Sequence, residues 1–216
     1  MKRGELKKML SDADAANNSA IEFWFDFSSP YSYLAAEKID ALAASHQRIV
    51  HWHPILLGAI FQITNALPLV QLPLKGDYSV RDFARSARFF DLPFILPAKF
   101  PLPTQLAARA YYWLCDHEVA KAHDFARALF RALFVHDRDI SDLAVVCDVA
   151  ASMGLDADAL SLAVAQPEVK AQLKSETDAA ILKGVFGAPF FMVGDEPFWG
   201  VDRLPQLEKW LATGGF

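Results

Sequence analysis

Phe23-Trp24-Phe25-Asp26-Phe27-Ser28-Ser29-Pro30-Tyr31-Ser32-Tyr33-Leu34 decides how the rest of the chain is read. An aromatic, strand-forming run stops at a Ser-x-x-Ser, and an Ala-rich helical pattern follows at once. Ser29 stands where a helix N-cap belongs, with Pro30 at the first helical position. The strand therefore runs directly into a capped helix start, where free N–H groups and a positive dipole end converge. By itself this pattern is also what an ordinary helix cap looks like. Two stretches near the C-terminus give it context.

In Gly184-Val185-Phe186-Gly187-Ala188-Pro189-Phe190-Phe191-Met192-Val193, glycines end a helical pattern and Pro189 opens a short apolar strand. Proline is tolerated there, in a trans edge strand or after a cis Ala188-Pro189 bond in a tight turn. Phe198-Trp199-Gly200-Val201-Asp202-Arg203-Leu204 reads as a strand end, a glycine turn and the start of a last helix, with Asp202 suited to the helix dipole or to a cap. Between these ends, Ile21–Phe27 and Ile49–His53 read as strands, Tyr31–Ser45 as the first helix and Leu56 to Asp77 as a loop. Helical periodicity then marks Val80–Phe90, Thr104–His117, Val119–Val135, Asp142–Met153, Asp156–Ala165 and a run from Pro167 to Lys183. A parallel pair of strands and a distant antiparallel pair imply one sheet drawn from both chain ends.

The 216 residues are 53% hydrophobic, enough for a sizeable core, and the formal net charge of -5 argues against a nucleic-acid surface. No apolar run approaches the roughly 18 residues of a membrane span. Cys115 and Cys147 lie in helical patterns without a Cys-x-x-Cys, which fits two buried reduced thiols in a cytoplasmic protein. Residues 1–20 are polar with mixed charge and lack the apolar core of a secretory signal. They read as an extension. His51 and His53 face one side of a strand without further ligands at metal spacing. Asp137 to Asp142 lacks the glycine and glutamate of a calcium loop and reads as a polar loop ending in a Ser141 cap. Phe89, Phe90, Phe94 and Phe100 are expected in the core, with one or two lining a flat apolar slot.

The ordered set Phe25 to Leu34, Pro54 to Gly58 with Asn65 and Lys75, Asp139 to Asp142, Phe186 to Pro189 and Trp199 to Arg203 resembles one family over nearly the whole chain from Ile21. It is that of the 2-hydroxychromene-2-carboxylate isomerases and kappa-class glutathione transferases. The resemblance implies an α/β fold: a thioredoxin-like sheet (21–77 and 184–216) with an inserted all-helical domain (78–183), as in DsbA-like proteins. Relatives doing redox chemistry carry Cys-x-x-Cys at the helix start. Here Ser29 and Ser32 replace both sulfurs, which excludes a disulfide oxidoreductase.

A free serine hydroxyl is a poor nucleophile without a base, so Ser29 is better used to donate a hydrogen bond to a ligand's thiolate. The resemblance makes that ligand glutathione and Ser29 the catalytic residue. It also implies that Asn65 approaches the thiol and substrate, and that Lys75 pairs with a glutathione carboxylate. Ala188 and Pro189 would receive the peptide-like cofactor, Val201 would serve through its backbone, and Asp202 would accept from its ammonium. Tyr31, Ser32 and Arg203 fall to the substrate, Arg203 or Lys75 holding its carboxylate. Asp26 reads equally as a buried carboxylate behind the site or as a strand-ending residue bonded to nearby backbone. The implied activity is glutathione-dependent isomerisation of an aromatic-catabolism intermediate by a homodimer. A kappa-type transferase or peroxidase, and a non-catalytic thioredoxin-like binding module, remain the alternatives.

Overall fold

The computed structural model describes residues 20–216; residues 1–19 of the expected extension lie outside the described residues. Strand β1 (Ala20–Phe25) leads into α1 (Pro30–Ala36), α2 (Ile39–Ser45) and β2 (Ile49–Pro54). Next come α3 (Leu57–Thr64), a short 3-10 turn at Leu69–Gln71 and α4 (Lys75–Phe89). The helical middle continues with α5 (Gln105–Cys115), α6 (Val119–Phe134), α7 (Leu143–Ser152), α8 (Ala157–Ala163) and α9 (Pro167–Leu182). The chain closes with β3 (Phe190–Val193), β4 (Glu196–Trp199), a 3-10 turn at Val201–Arg203 and α10 (Leu204–Thr213).

The sheet order is β2-β1-β3-β4. β1 pairs parallel with β2, and β3 pairs antiparallel with both β1 and β4. This is the α/β arrangement expected, a mixed sheet from both chain ends with helices between. Alternation along β1 sends Ile21, Phe23 and Phe25 into the larger core. There Phe23 packs on Phe25, Trp52 and Phe191 with ring centroids 5.1, 5.1 and 5.2 Å away. Trp24 faces the opposite side, with Ile55, Ile60, Ala180, Val185 and Phe190.

Glu22 shares the Trp24 face and lies beside His51 and His53 across the parallel register. Its carboxylate meets His53 Nε2 at 2.6 Å and His51 Nδ1 at 3.0 Å, and Glu176 of α9 approaches His53 Nδ1 at 3.2 Å. The histidine pair thus serves to tie β1, β2 and α9 together. Burial opposes charge on both sides, yet the two histidines hold Glu22 down to about 2, and the two carboxylates raise His53 above its ordinary value.

The structure corrects several element readings. The first helix breaks at Glu37 and Lys38, where Glu37 turns to a paired bond with Arg131 (2.7 and 2.5 Å). The expected loop from Leu56 contains α3, a helix without a side-chain cap to announce it. Helix α4 begins at Lys75 rather than Val80, because Gly76 lets its first turn lie against Val70; a Cβ there would be 2.7 Å from the Val70 carbonyl oxygen. Asp142, not Ser141, caps α7, accepting from Ala144 N at 2.9 Å. Phe89 is 76% exposed instead of in the core, and Cys115 and Cys147 are half-buried rather than buried.

Two stability outcomes follow. Phe25→Ala removes a fully buried ring at the centre of the core and should cost about 3–5 kcal/mol in urea unfolding; a cost below about 1 kcal/mol would contradict this packing. Linkage fixes the second. The His53 contribution is complete below about 6.5 and is lost as pH rises through its raised folded value. The Glu22 contribution is present above about 4.5 and is lost as pH falls toward 2. His53→Gln should therefore destabilise most between these limits, with the gap to wild type narrowing at alkaline pH. A gap that stays constant into the alkaline range would contradict it.

Candidate active site

The turn that follows β1 builds the site. Ser29 takes an extended backbone (φ -98°, ψ 114°), and its Oγ accepts from Ser32 N at 3.1 Å as the N-cap of α1. The same hydroxyl donates to the Ala188 carbonyl at 3.2 Å. Register explains the contact: Trp24 pairs with Phe190, so the residues just past β1 meet those just before β3. The Ala188-Pro189 bond is cis, and so is Phe100-Pro101.

Asp26 lies beneath this turn, 5% exposed. Its carboxylate accepts from Ser28 N (2.8 Å), Leu57 N (2.8 Å) and Thr104 Oγ1 (2.9 Å). Both earlier readings of Asp26 hold at once: it is buried behind the site and bonded to nearby backbone. Burial pushes its carboxyl above the usual range, against the pull of those three donors. One group thereby braces the end of β1, the start of α3 and the start of α5.

A cavity of about 720 Å³ opens above Ser29. Its floor is Asp26, Ser28, Ser29, Pro30 and Tyr31. One wall is α3 and the stretch behind it, from Leu57 and Phe61 through Asn65 to Leu72. Phe83, Phe100 and Leu102 form a second wall, and Phe186, Gly187, Ala188 and Trp199 a third. Phe100 is the aromatic of the expected four that lines this slot. Tyr31 donates its phenol to Asp82, and burial followed by that bond raises the phenol well above its ordinary value.

Of the residues singled out in the sequence, Ser29, Tyr31, Asn65 and Ala188 meet around this cavity. Ser32 is fully buried behind it, and its Oγ has no hydrogen-bond partner among the described residues. Pro189 and Val201 stand outside the lining, Val201 in the larger core. Lys75 is exposed at the first position of α4 rather than in a loop. Asp202 is exposed in the 3-10 turn, 3.6 Å from Arg203, and caps no helix. Arg203 borders a different, smaller groove with Trp210 and Phe216. Sequence reading missed Thr104, Asp82, Phe61 and Phe83. They reach the site from turns and helices far along the chain, and only tertiary packing brings them there.

The profile of the DSBA-like thioredoxin domain matches residues 20–212. The chain is 32% identical over 200 residues to a 2-hydroxychromene-2-carboxylate isomerase of Sphingobium xenophagum, covering 88% of this chain and 97% of that one. The chain belongs to the DSBA-like family of 2-hydroxychromene-2-carboxylate isomerases and kappa-class glutathione transferases. Glutathione S-transferase kappa 2 of Caenorhabditis elegans is 28% identical over 214 residues, covering 91% of this chain and 93% of its own. A solved 2-hydroxychromene-2-carboxylate isomerase superposes with TM-score 0.81 at 28% identity, covering 89% of this chain and 94% of its own. These relatives support an isomerase or transferase activity for this family member. Among the described residues no helix is long and apolar enough to cross a membrane.

The close approach of Gly187 to Trp199 gives a direct test of the third wall. A Cβ on residue 187 would stand 2.5 Å from Trp199 Nε1. Gly187→Ala should swing the half-exposed indole, shifting tryptophan emission and weakening ligand binding at least several-fold, with a stability change near zero. Unchanged emission and affinity would show that this wall tolerates the added methyl.

Proposed function

We propose that this protein is a glutathione-dependent isomerase, acting on 2-hydroxychromene-2-carboxylate or a related intermediate of aromatic catabolism. The observation that carries this reading is the Ser29 hydroxyl, buried at a helix start and opening on an apolar cavity beside the Ala188 carbonyl. The site residues fit the thiol end of glutathione. Ser29 Oγ keeps its bond from Ser32 N when its proton turns from Ala188 toward the cavity, so the donor can be redirected without moving the oxygen. The Ala188 carbonyl released in that turn is then free to accept from a peptide amide. Lys75 and Asp202, both exposed, offer opposite charges for the charged ends of the tripeptide.

Ser29 and the Ala188 carbonyl would hold glutathione by its thiol end, and the bound cofactor would supply a nucleophilic sulfur for reversible addition to a conjugated double bond. The chain's own residues do the remaining work. Ser29 and the first turn of α1 stabilise negative charge at the cavity floor. The apolar walls hold a flat ring system and exclude water, and Asn65 offers an amide to the substrate oxygen. The same reading places the protein in the cytoplasm as a homodimer. Similarity to the nematode kappa enzyme favours a second reading, a transferase in which the same donor serves an irreversible attack on an electrophile. Turnover of a chloronitrobenzene against turnover of the chromene carboxylate separates the two.

Ser29→Ala should lower kcat by about 10²–10³-fold, the scale of losing one preorganised donor. Loss of the cap should cost about 1 kcal/mol of stability. Glutathione affinity by calorimetry at neutral pH should fall far less than kcat, by no more than about tenfold. Equal turnover in mutant and wild type would remove Ser29 from the mechanism.

A further inference from the structure

Tyr31 stands two residues past Ser29, half-buried on the floor of the cavity. Its ring meets Phe83 of the second wall edge to face, with centroids 5.1 Å apart. Its hydroxyl reaches from α1 to α4 and donates to Asp82 Oδ2. The isomerisation proposed above gives this phenol no part.

Asp82 is itself held in place. Arg85 follows it by one turn of α4 and takes Asp82 Oδ1, from Nε at 3.1 Å and from Nη2 as well. The same Nη2 donates to Tyr78 Oη at 2.9 Å, and the guanidinium lies over the Tyr78 ring, 5.3 Å from its centroid. Ser86 Oγ approaches Asp82 Oδ2 at 3.5 Å. Arg85 thus fixes one carboxylate oxygen and leaves the other aimed at Tyr31. Against burial, the bonds from Tyr31 and Arg85 keep the Asp82 carboxyl below its ordinary range.

An ionised carboxylate can only accept, so the single phenol proton of Tyr31 is committed to Asp82. What Tyr31 has left for a ligand is the lone pairs of its oxygen. The Ser29 hydroxyl, once turned from Ala188, is the opposite, a donor. Residues 29 and 31 therefore offer a ligand one donor and one acceptor. A ligand hydroxyl satisfies such an acceptor, whereas a methyl ether in the same place displaces water and leaves it unpaired.

We propose that the Tyr31 oxygen is a hydrogen-bond acceptor for a hydroxyl group on the substrate's ring system, and that Asp82 and Arg85 are positioning residues that hold it in that role. The proposal rests on the isomerase reading for the compound that brings the hydroxyl, and on the Tyr31–Asp82–Arg85 chain for the acceptor. No proton is transferred, and the phenol stays neutral. The contact asks nothing of a substrate carboxylate, which both probes below retain.

Two inert analogues, trans-2-hydroxycinnamate and trans-2-methoxycinnamate, test it on the full chain. Both are flat, conjugated and carry a carboxylate, and they differ only in the hydroxyl and its methyl ether. Calorimetry at neutral pH should show the hydroxyl compound bound at least about tenfold more tightly. Tyr31→Phe keeps the ring and removes the oxygen, and should bring the two affinities to within about twofold of each other. Asp82→Ala releases the phenol proton, so that Tyr31 can donate to the ether, and should lower the ratio several-fold with the ring still in place. A preference set by methyl bulk alone would persist in both variants. A wild-type ratio near one overturns the proposal, and so does a ratio unmoved by either variant or a failure of both analogues to bind. Should Tyr31→Phe fail to fold, Asp82→Ala decides alone. Turnover of the chromene carboxylate with glutathione is measured separately in the wild type. If turnover is absent while the ratio follows Tyr31, the isomerase reading falls and the acceptor stands. If turnover is present and the ratio ignores Tyr31, the acceptor falls and the isomerase reading stands.

Discussion

One hydroxyl joins the two ends of this chain. Ser29 caps α1 through Ser32 N and reaches the Ala188 carbonyl, 159 residues away in sequence. The contact exists because β1 and β3 pair antiparallel, with Phe23 opposite Phe191 and Trp24 opposite Phe190. Stacked rings on both partners fix that register, and a shift by one residue would send Phe23 and Phe25 to the other face. The position of the donor is therefore set by core packing rather than by the turn that carries it.

Asp26 gives the turn its depth. Three donors from three segments converge on one buried carboxyl, so the floor, the α3 wall and the Phe100–Pro103 wall are held in a common frame. Burial also works against its ionised form, and a carboxyl that resists ionisation opposes a nearby thiolate less. Support and electrostatics thus come from the same residue.

Much of this was legible in the chain. The aromatic strand, the Ser29 cap with Pro30 and the apolar strand after Pro189 are local signals, and each is found where its residues put it. The helices from α5 to α9 begin and end within about two residues of expectation. The wall of the site was not legible. α3 lacks a capping side chain, and α4 starts through a glycine that packs on Val70, a contact invisible to periodicity. The placing of Lys75 and Arg203 depends on those details. Lys75 moved from a loop to a helix start, and Arg203 faces a separate groove. His51 and His53 found partners in Glu22 and Glu176, the latter 123 residues away, a distance no local pattern spans.

The proposed mechanism requires this protein to hold a ligand's sulfur as the anion against Ser29. It is tested most directly by following the ultraviolet thiolate band of glutathione on the protein as pH is varied. The account predicts a thiol titrating well below the ordinary value of about 8.5, and a return toward that value in Ser29→Ala. A bound thiol that ionises at the ordinary value in the wild-type protein would contradict it.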